Sequence, residues 1–367
     1  MRLIVVGAGI VGAACAYAAS GLGAEVVLVD AGLPGQATAA GAGIICPWSA
    51  RADDPAWYAF ACTAARQYPE LVAGLADDGE QDVSYRRVGA LIIARDGEEA
   101  AREGERMRAR QAATPEIGEV DVLTAAEAQA LFPPLRPGSA AAYLGGAARV
   151  DGRQLTGALV RAACRRGAVT RPGRAALACR AGRVAGVEID GQLAGADAVV
   201  AATGAWTTSF LAPAVASVTV TPQRGQIVHI SLDPADTSRW PVILPAASGH
   251  YLLAFDDSRV VAGATRETGA GFDVRVTPGG LHEVLTQALA VAPGLAAGTH
   301  LETRVGLRPA AARPLLGPVP GMAGLVVATG LGATGLTMGP LAGTIAAQVA
   351  LGLRTNLDLA PFSPIGS

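Results

Sequence analysis

The chain carries little charge and has no run of basic residues. Charged residues make up 16% of its 367 residues, and the formal net charge is −2. Proteins that bind nucleic acids place clustered basic residues against the phosphates. We therefore expect no nucleic acid among the partners of this chain.

Cysteines are few and scattered. None of the five belongs to a C-x-x-C pair or to a Cys/His cluster of the kind that binds zinc. An odd number of separated cysteines is typical of reduced, buried thiols in a cytoplasmic protein. The sequence therefore predicts no metal site and a cytoplasmic location.

Apolar residues and glycine dominate the composition instead. Hydrophobic residues make up 51% of the chain, which also contains 47 glycines. This composition is typical of an α/β fold with buried strands and close backbone approaches. The length suits one large domain or two medium ones.

One stretch, residues 328–351, has no charge and is long enough to span a bilayer. It also contains several glycines, Pro340 and Gln348, which favour a strand, a loop and a helix buried against a ligand. We expect such a buried segment here. Peripheral association with the inner membrane is retained as an alternative.

The first thirty residues have the pattern of a nucleotide-binding β–α–β unit. Residues 2–6 and 25–29 are short apolar runs, and the alanine-rich residues 10–20 between them predict a helix. A secretory signal peptide and a glycine-rich turn that binds nothing are the alternatives. A signal peptide has no reason to supply the second apolar run at this spacing.

Three glycines and an aspartate give this unit its chemistry. Gly7 would permit a tight turn, Gly9 would let the backbone approach a pyrophosphate, and Gly12 would allow close packing of helix on strand. The helix N-terminus offers free N–H groups to the phosphates. The carboxylate of Asp30, at the end of the second run, can accept a hydrogen bond from a ribose hydroxyl. We predict that this unit binds a dinucleotide.

Further α/β segments follow at a distance. Residues 154–166 predict a helix, and residues 175–179 and 184–189 a strand pair. Two apolar strands end in Ala-Thr-Gly, at residues 202–204 and 328–330, and a final helix is predicted over 341–351. Because ligands bind at the carboxyl ends of parallel strands, both Ala-Thr-Gly ends are expected near the cofactor.

Residues 84–147 and 217–304 differ in character from the rest of the chain. Alternating apolar residues predict a mostly antiparallel sheet, and residues 277–290 predict a helix packed on it. The mixed charges of residues 98–111 favour a helix with a solvated face. We interpret these stretches as a second domain inserted twice into the first.

The arrangement resembles the FAD-dependent D-amino-acid oxidase superfamily, in particular its glycine oxidase, sarcosine oxidase and D-amino-acid dehydrogenase branch. This resemblance implies an FAD-binding domain of residues 1–83, 148–215 and 305–367. A substrate-binding domain would then comprise residues 84–147 and 216–304. The motifs that carry the resemblance lie at residues 7–12 with Asp30, 36–44, 148–155, 199–206, 222–227, 306–317 and 328–340.

The resemblance implies FAD as the cofactor, and two loops agree with it. Small residues at 37–43 leave room for a flat ring, and the glycines at 330–335 could present N–H groups to the pyrimidine end of a flavin. Sarcosine oxidases attach FAD through a cysteine near residues 313–315, where this chain has no thiol, so non-covalent FAD is expected. The cofactor-binding residues predicted in this way are Gly7, Gly9, Ile10, Val11, Gly12, Asp30, Ala31, Thr38, Ala39, Gly43, Ile44, Ala176, Thr203, Gly204, Trp206, Gly330, Gly332, Ala333, Thr334, Gly335, Leu336 and Thr337.

A flavin enzyme of this kind must hold an amino acid with its α C–H facing the ring, and a guanidinium holds a carboxylate best. Arg308 matches the superfamily's substrate-carboxylate arginine, and Tyr251 matches a position whose hydroxyl assists it. His250 and Trp48 are further substrate-binding candidates. Arg224 is expected to have a structural role. Glycine oxidases carry an arginine in the last loop where this chain has Ala333, which opens room for a larger substrate.

These observations predict oxidative deamination of a D-amino acid or a secondary amino acid, with Arg308 and Tyr251 in the catalytic centre. Hydride would pass from the α-carbon to the flavin, and the imine would hydrolyse to the oxo acid. The electron acceptor would be oxygen, a quinone or a partner protein. A non-catalytic or partner-dependent FAD-binding subunit of a larger dehydrogenase complex is the alternative, and a flavin monooxygenase is disfavoured because no second dinucleotide motif is present.

Overall fold

The computed structural model describes residues 1–51, 54–215 and 217–364. The strands are β1 Arg2–Val6, β2 Glu25–Asp30, β3 Ile44–Ile45, β4 Arg86–Arg87, β5 Ala90–Ala94, β6 Val120–Leu123, β7 Ala140–Leu144, β8 Ala148–Arg149, β9 Val169–Pro172, β10 Ala175–Arg180, β11 Arg183–Ile189, β12 Gln192–Gly195, β13 Ala198–Ala201, β14 Thr221–Ser231, β15 Val242–Pro245, β16 Tyr251–Ala254, β17 Arg259–Gly263, β18 Thr299–Pro318 and β19 Leu325–Leu331. The α-helices are α1 Ile10–Gly21, α2 Pro55–Arg66, α3 Tyr68–Asp77, α4 Gly97–Gln111, α5 Ala125–Leu131, α6 Gly152–Arg165, α7 Thr207–Leu211, α8 Pro278–Val291 and α9 Gly335–Ala350.

One mixed sheet organises the fold, in the order β6-β7-β5-β15-β16-β17-β14-β18-β19-β13-β1-β2-β9. The strands β19, β13, β1, β2 and β9 run parallel to one another. The central residues of β1, β13 and β19 are apolar and buried, as helix-covered parallel strands require. From β16 to β18 the neighbouring strands are antiparallel. The predicted α/β fold with a mostly antiparallel second part is confirmed.

The long strand β18 joins the two parts of the sheet. It pairs antiparallel with β14 through residues 299–310 and antiparallel with β19 through residues 310–318. The sheet is therefore continuous from the parallel part to the antiparallel part. The division of the chain into two domains at the boundaries given above stays a prediction.

Helix α9 packs closely on α1, and small residues make this approach possible. A Cβ at Gly343 would overlap the carbonyl oxygen of Val11, and a Cβ at Gly339 would lie 2.7 Å from Ile10. The apolar stretch at 328–351 is therefore a buried strand and helix, as expected. Within the residues described, no helix has the length and apolar character needed to cross a bilayer.

The start of α9 corrects a sequence prediction. The helix was expected from Leu341 because Pro340 breaks helices, but it begins at Gly335 and includes Pro340. Proline has no N–H to donate to the carbonyl of Leu336, four residues earlier. The hydroxyl of Tyr68 on α3 donates to that carbonyl instead, from 268 residues away in the chain. This tertiary contact satisfies the carbonyl that the proline leaves without an intrahelical donor.

Two smaller corrections concern other element boundaries. The strand β19 does not end at its Ala-Thr-Gly but continues to Leu331, paired with Ala310 of β18. Helix α6 begins at Gly152, because the Asp151 side chain accepts hydrogen bonds from the first-turn N–H groups. Helix α4 has the solvated face that its charges predicted, and its opposite face places Glu103 in buried ion pairs with two arginines.

Candidate active site and cofactor cavity

A single cavity of about 590 Å³ extends from Asp30 to Arg308. One wall consists of the segments that follow the carboxyl ends of β1, β2, β9 and β13, together with β19. The opposite wall consists of β14, β16 and β18 from the antiparallel part. The cavity thus lies where ligands bind in open α/β sheets, and its size is that of a small-molecule site.

The glycine turn after β1 is built so closely that it excludes side chains. Gly7 has φ +101, and a Cβ there would overlap the carbonyl oxygen of Ala202 at the end of β13. A Cβ at Gly12 would overlap the carbonyl oxygen of Gly7. These two glycines bring α1 against β1 and β13, as the sequence pattern predicted.

Gly9 has a different role, because it leaves space on the cavity side. Its φ of −67 suits any residue, and a Cβ there would meet only the Thr38 hydroxyl at 3.3 Å. No side chain caps α1, and the N–H groups of Val11 and Gly12 have no intrahelical partner in the first turn. The N–H of Ile10 donates to Thr38 Oγ1 at 3.1 Å. Free N–H groups at a helix N-terminus form an anion site, here facing the cavity.

The carboxylate of Asp30 holds this end of the cavity together. Oδ2 accepts from the Ala8 N–H at 2.6 Å, and Oδ1 accepts from the Gly32 N–H at 2.7 Å and from Gln36 Nε2 at 2.9 Å. A carboxylate has about four acceptor positions, so one remains for a ribose hydroxyl. Asp30 therefore braces the turn in addition to the ligand role predicted for it.

The two loops of small residues lie in the middle of the cavity. Gly43 has φ +96, and a Cβ there would overlap the carbonyl oxygen of Val150. In the last loop, Cβ atoms at Gly332 and Gly335 would meet nothing within 4 Å. Gly330 instead faces β18, where a Cβ would lie 3.1 Å from the Arg313 carbonyl oxygen. The loop therefore offers open backbone to a ligand at Gly332 and Gly335 but not at Gly330.

Most of the predicted cofactor residues line this cavity, and some do not. Those on the lining are Gly7, Gly9, Ile10, Val11, Asp30, Ala31, Thr38, Gly43, Ile44, Ala176, Thr203, Gly204, Trp206, Gly332, Ala333, Gly335 and Leu336. The predicted cofactor residues that do not line the cavity are Gly12, Ala39, Gly330, Thr334 and Thr337. Thr337, for example, donates its hydroxyl to the Ile44 carbonyl at 3.0 Å and so supports the loop from behind.

The residues present fit a flavin dinucleotide. An uncapped helix N-terminus for the phosphates, a carboxylate for a ribose and a wall of open glycine backbone follow one another along a single cavity. No cysteine is among the lining residues, and the non-covalent attachment of FAD stays a prediction. Among the residues described, no group of histidines, cysteines and carboxylates could hold a metal ion.

At the far end, the antiparallel wall has a face of glycines that makes room for the side chains of Arg308 and Tyr251. Gly225 pairs with Gly306 across β14 and β18, and Ile227 pairs with Gly263, which in turn pairs with Tyr251. Because side chains alternate along strands, these positions share one face with Arg308. A Cβ at Gly225 would lie 2.5 Å from Arg308 Nη2, and one at Gly263 would lie 2.6 Å from the Tyr251 hydroxyl.

Arg308 is half-buried, and in the part of the chain that the structure describes no carboxylate forms an ion pair with it. Its Nη1 donates to the Thr265 carbonyl at 2.9 Å and lies 3.4 Å from Gln223 Oε1. Burial lowers the pKa of this guanidinium below its usual value. Nearby Glu267 is already held by Arg224, with Oε2 at 2.6 Å from Nη2. A buried cation without an anionic partner is costly, and an anionic ligand would relieve that cost.

Arg224 has the structural position that its motif predicted. It is buried, and it bridges Glu267 and Asp273, the latter at 2.8 Å. Gln226 Nε2 donates to Glu267 at 2.7 Å and to Thr277 Oγ1 at 2.9 Å. This network ties β14 to the segment before α8, and Arg224 is not among the residues that line the cavity.

Tyr251 lies on the cavity wall near Arg308, whereas His250 and Trp48 do not reach the cavity. Burial raises the pKa of the Tyr251 phenol, so it stays a neutral donor at physiological pH. His250 points to the other side of β16, where Nε2 lies 3.3 Å from Glu283 on α8. Trp48 is buried in the core, and its carbonyl accepts a hydrogen bond from Arg110.

One functional candidate escaped the sequence reasoning. Arg266, three residues beyond the end of β17, also lines the cavity. The titratable side chains on the lining are thus Asp30, Arg174, Tyr251, Arg266 and Arg308. No motif in the sequence pointed to Arg266. It follows β17, and the pairing of β17 with β16, the strand of Tyr251, is visible only in the structure.

The chain is similar to several known proteins over nearly its whole length. The family described as FAD dependent oxidoreductase matches the chain over residues 2–349. Oxidoreductase YurR of Bacillus subtilis is 47% identical over 99% of this chain and 98% of its own length. Glycine oxidase of Pseudomonas aeruginosa is 30% identical over 100% of this chain and 99% of its own length. The crystal structure of iminodiacetate oxidase from Chelativorans sp. BNC1 superposes with a TM-score of 0.95 at 47% identity, covering 99% of both chains.

Proposed function

This chain belongs to the family of FAD-dependent oxidoreductases, and we propose that it oxidises the α C–N bond of a small amino acid whose carboxylate binds Arg308. One observation carries the proposal. Arg308 is a half-buried guanidinium on the cavity wall, and its hydrogen-bond acceptors are the neutral oxygens of Thr265 and Gln223. A carboxylate ligand would supply the negative charge that this site lacks.

The names of two relatives support this class of substrate. One relative is a glycine oxidase and another is an iminodiacetate oxidase. Glycine is a primary α-amino acid, and iminodiacetate is a secondary amine with two carboxymethyl groups. Both carry a carboxylate next to the carbon that would be oxidised. We infer that a secondary amino acid of this kind is the substrate, in preference to a D-amino acid with a bulky side chain.

FAD, when bound, supplies the two-electron acceptor for a hydride that leaves the α-carbon. The chain positions that carbon. Arg308 would hold the carboxylate through two N–H donors, and the Tyr251 hydroxyl, which makes no hydrogen bond among the residues described, would donate a further one. Holding a reactant in one orientation is worth several orders of magnitude in rate, so these two contacts would contribute mainly by positioning.

The charge of the wall favours the reactive form of the substrate. The substrate end of the lining carries Arg266 and Arg308 but no carboxylate that could hold an ammonium group, since Asp30 lies at the other end of the cavity. The substrate would therefore bind with an uncharged nitrogen. Loss of a hydride from the α-carbon and of a proton from nitrogen then gives an imine. Water adds to its C=N bond, and cleavage of the C–N bond releases an oxo acid and an amine.

Product analysis tests the proposal. Purified holoprotein would be incubated in air with glycine, N-methylglycine, proline, D-alanine or iminodiacetate, and the oxo acid would be trapped with phenylhydrazine. We expect one oxo acid for each amine released from the open-chain substrates and a single amino oxo acid from proline, whose ring imine opens on hydrolysis, with the secondary amino acids preferred. The same incubations would be repeated with an added quinone, and the rates with oxygen and with the quinone would identify the electron acceptor. A protein that contains FAD but forms no oxo acid from any of these compounds with either acceptor would contradict the proposal and favour a partner-dependent subunit.

A further inference from the structure

A second arginine lies on the same cavity wall as Arg308. We propose that Arg266 binds a second carboxylate, so that the preferred substrate is an amine with one carboxylate on each side of its nitrogen. This inference rests on the proposed function, because it assigns the substrate class of the same site. Arg266 would be a specificity-determining residue, and Arg308 would hold the carboxylate next to the carbon that reacts.

The surroundings of Arg266 leave its charge available. Its Nη1 donates to the Gly249 carbonyl at 3.1 Å, and a Cβ at Gly249 would overlap the same nitrogen. The glycine therefore allows the guanidinium to lie flat against the backbone. Among the residues described, no carboxylate forms an ion pair with Arg266. The remaining N–H donors are free to meet a ligand in the cavity.

The two arginines are close enough to act on one small ligand. Arg308 donates to the carbonyl of Thr265, which a single peptide bond joins to Arg266. Both positive charges act on the Tyr251 phenol between the strands, and the charge of Arg266 also acts on Arg308. Two like charges on one wall repel each other, and a ligand with two negative charges relieves this repulsion better than a ligand with one.

The burial of the two residues gives the ligand a direction. Arg308 is half-buried in the cavity, whereas Arg266 is exposed at its edge. The carboxylate next to the reacting carbon would therefore lie inside, and the second carboxylate would lie toward solvent. Ala333 lines the same cavity and adds no charge of its own. The positive charge for the second carboxylate is thus supplied by Arg266 on the antiparallel wall alone.

A matched pair of substrates tests this assignment. Iminodiacetate and N-methylglycine share the secondary amine and one carboxymethyl group, and they differ by one carboxylate. We expect Arg266→Ala to lower the ratio of their kcat/KM values by about tenfold, the usual effect of one charge-assisted hydrogen bond. Arg266→Lys should retain part of the preference. Arg354→Ala removes an exposed positive charge away from the cavity lining, so it should leave the ratio as it is.

Binding without turnover separates this inference from the proposed function. Oxydiacetate and methoxyacetate replace the amine by an ether oxygen, and both can be titrated against the holoprotein by calorimetry. Arg266→Ala should weaken oxydiacetate about tenfold more than methoxyacetate, and added salt should reduce the difference because Arg266 is exposed. If both ratios stay within about twofold of wild type, the Arg266 assignment is wrong. If no amine is oxidised, the proposed function fails, and the oxydiacetate titration still decides the role of Arg266.

Discussion

Replacement of Arg308 by alanine is the perturbation that bears most directly on substrate binding. The guanidinium lies over Gly225, and its Nη1 donates to the Thr265 carbonyl and to Gln223 Oε1. Among the residues described, its Nε and Nη2 have no hydrogen-bond partner and are free for a carboxylate. The variant would remove both the charge and the two-point geometry, while the backbone of β18 would keep its pairing with β14.

The magnitude follows from the hydrogen bonds that the variant can no longer make to the substrate. A hydrogen bond between charged groups contributes about 1.5–3 kcal/mol, and a bidentate pair provides two of them. The carbonyl of buried Thr265 also loses a donor in the variant, and this loss affects the stability of the fold rather than the contacts with the substrate. We therefore expect a loss of about 3–4 kcal/mol in transition-state binding, which is about 10²–10³-fold in kcat/KM.

The assay compares carboxylated and uncarboxylated substrates. Formation of oxo acid or aldehyde from N-methylglycine and from its methyl ester would be measured for wild type, Arg308→Ala and Arg308→Lys. The alanine variant should lose most of the preference for the acid over the ester. Lysine keeps the charge but not the two-point geometry, so its kcat/KM should lie between the other two.

Folding and cofactor content are the controls. The bound FAD per chain should match wild type, and Tm should change by no more than about 4 °C, because the variant removes one partly exposed side chain from a large domain. A kcat/KM within about threefold of wild type, in a variant with normal FAD content, would refute the role of Arg308. Tyr251→Phe in the same assay should cost less, since it removes one neutral donor.

Three further predictions concern the cofactor and the fold. Gly9→Ala should raise the Kd for FAD about tenfold or more and leave the stability of the apoprotein unchanged, because the added Cβ would extend toward the phosphates. The Kd would be measured by flavin fluorescence. Gly97→Ala is the control, since a Cβ at Gly97 meets nothing within 4 Å. Tyr68→Phe should lower the free energy of unfolding in urea by about 1–3 kcal/mol, since the Leu336 carbonyl then has no donor, and an unchanged value would show that this bond is unimportant. Two arginines lower the pKa of Glu80 from 4.5 to about 2. A carboxylate with a lowered pKa stabilises the fold above pH 4.5, and this contribution is lost as the pH falls toward 2. Glu80→Gln should therefore lower the free energy of unfolding by about 1–2 kcal/mol at neutral pH, after allowance for the exposed arginine partners. The difference between the variant and wild type should vanish as the pH falls toward 2.

The cofactor end of the site could be predicted from the sequence because its determinants are local. Gly7, Gly9 and Gly12 lie within one turn, and their spacing fixes which backbone atoms approach each other. The predicted helix over residues 10–20 differs from α1 by one residue at its end. Short-range periodicity and turn chemistry are enough for such a unit.

The substrate end of the site was harder to predict from the sequence, because its geometry depends on strand pairing. Arg308 was found by resemblance, but its neighbours come from β14, β16 and the segment after β17. Arg266 is 42 residues from Arg308 along the chain, and it is brought to the same wall by pairings that periodicity does not reveal. His250 was named only because it precedes Tyr251, although alternation places it on the opposite face.

The start of α9 shows the same limit in the fold. Pro340 predicts a helix boundary by local rules. The helix nevertheless begins before it, because Tyr68 satisfies the Leu336 carbonyl from a distant helix. The continuity of the sheet through β18 is likewise a long-range property, since the two ends of this strand of 20 residues pair with different strands, β14 and β19.

Anaerobic reduction of the bound flavin is the most direct test of the central claim, that this cavity oxidises a small amino acid on FAD. The purified yellow protein would be mixed without oxygen with iminodiacetate and with N-methylglycine, and the flavin absorbance would be followed in a stopped-flow instrument. We predict rapid bleaching by both compounds in wild type, and bleaching slowed by about two orders of magnitude or more in Arg308→Ala. A flavin that stays yellow with every amino acid in the panel, in a protein with full FAD content, would contradict the account.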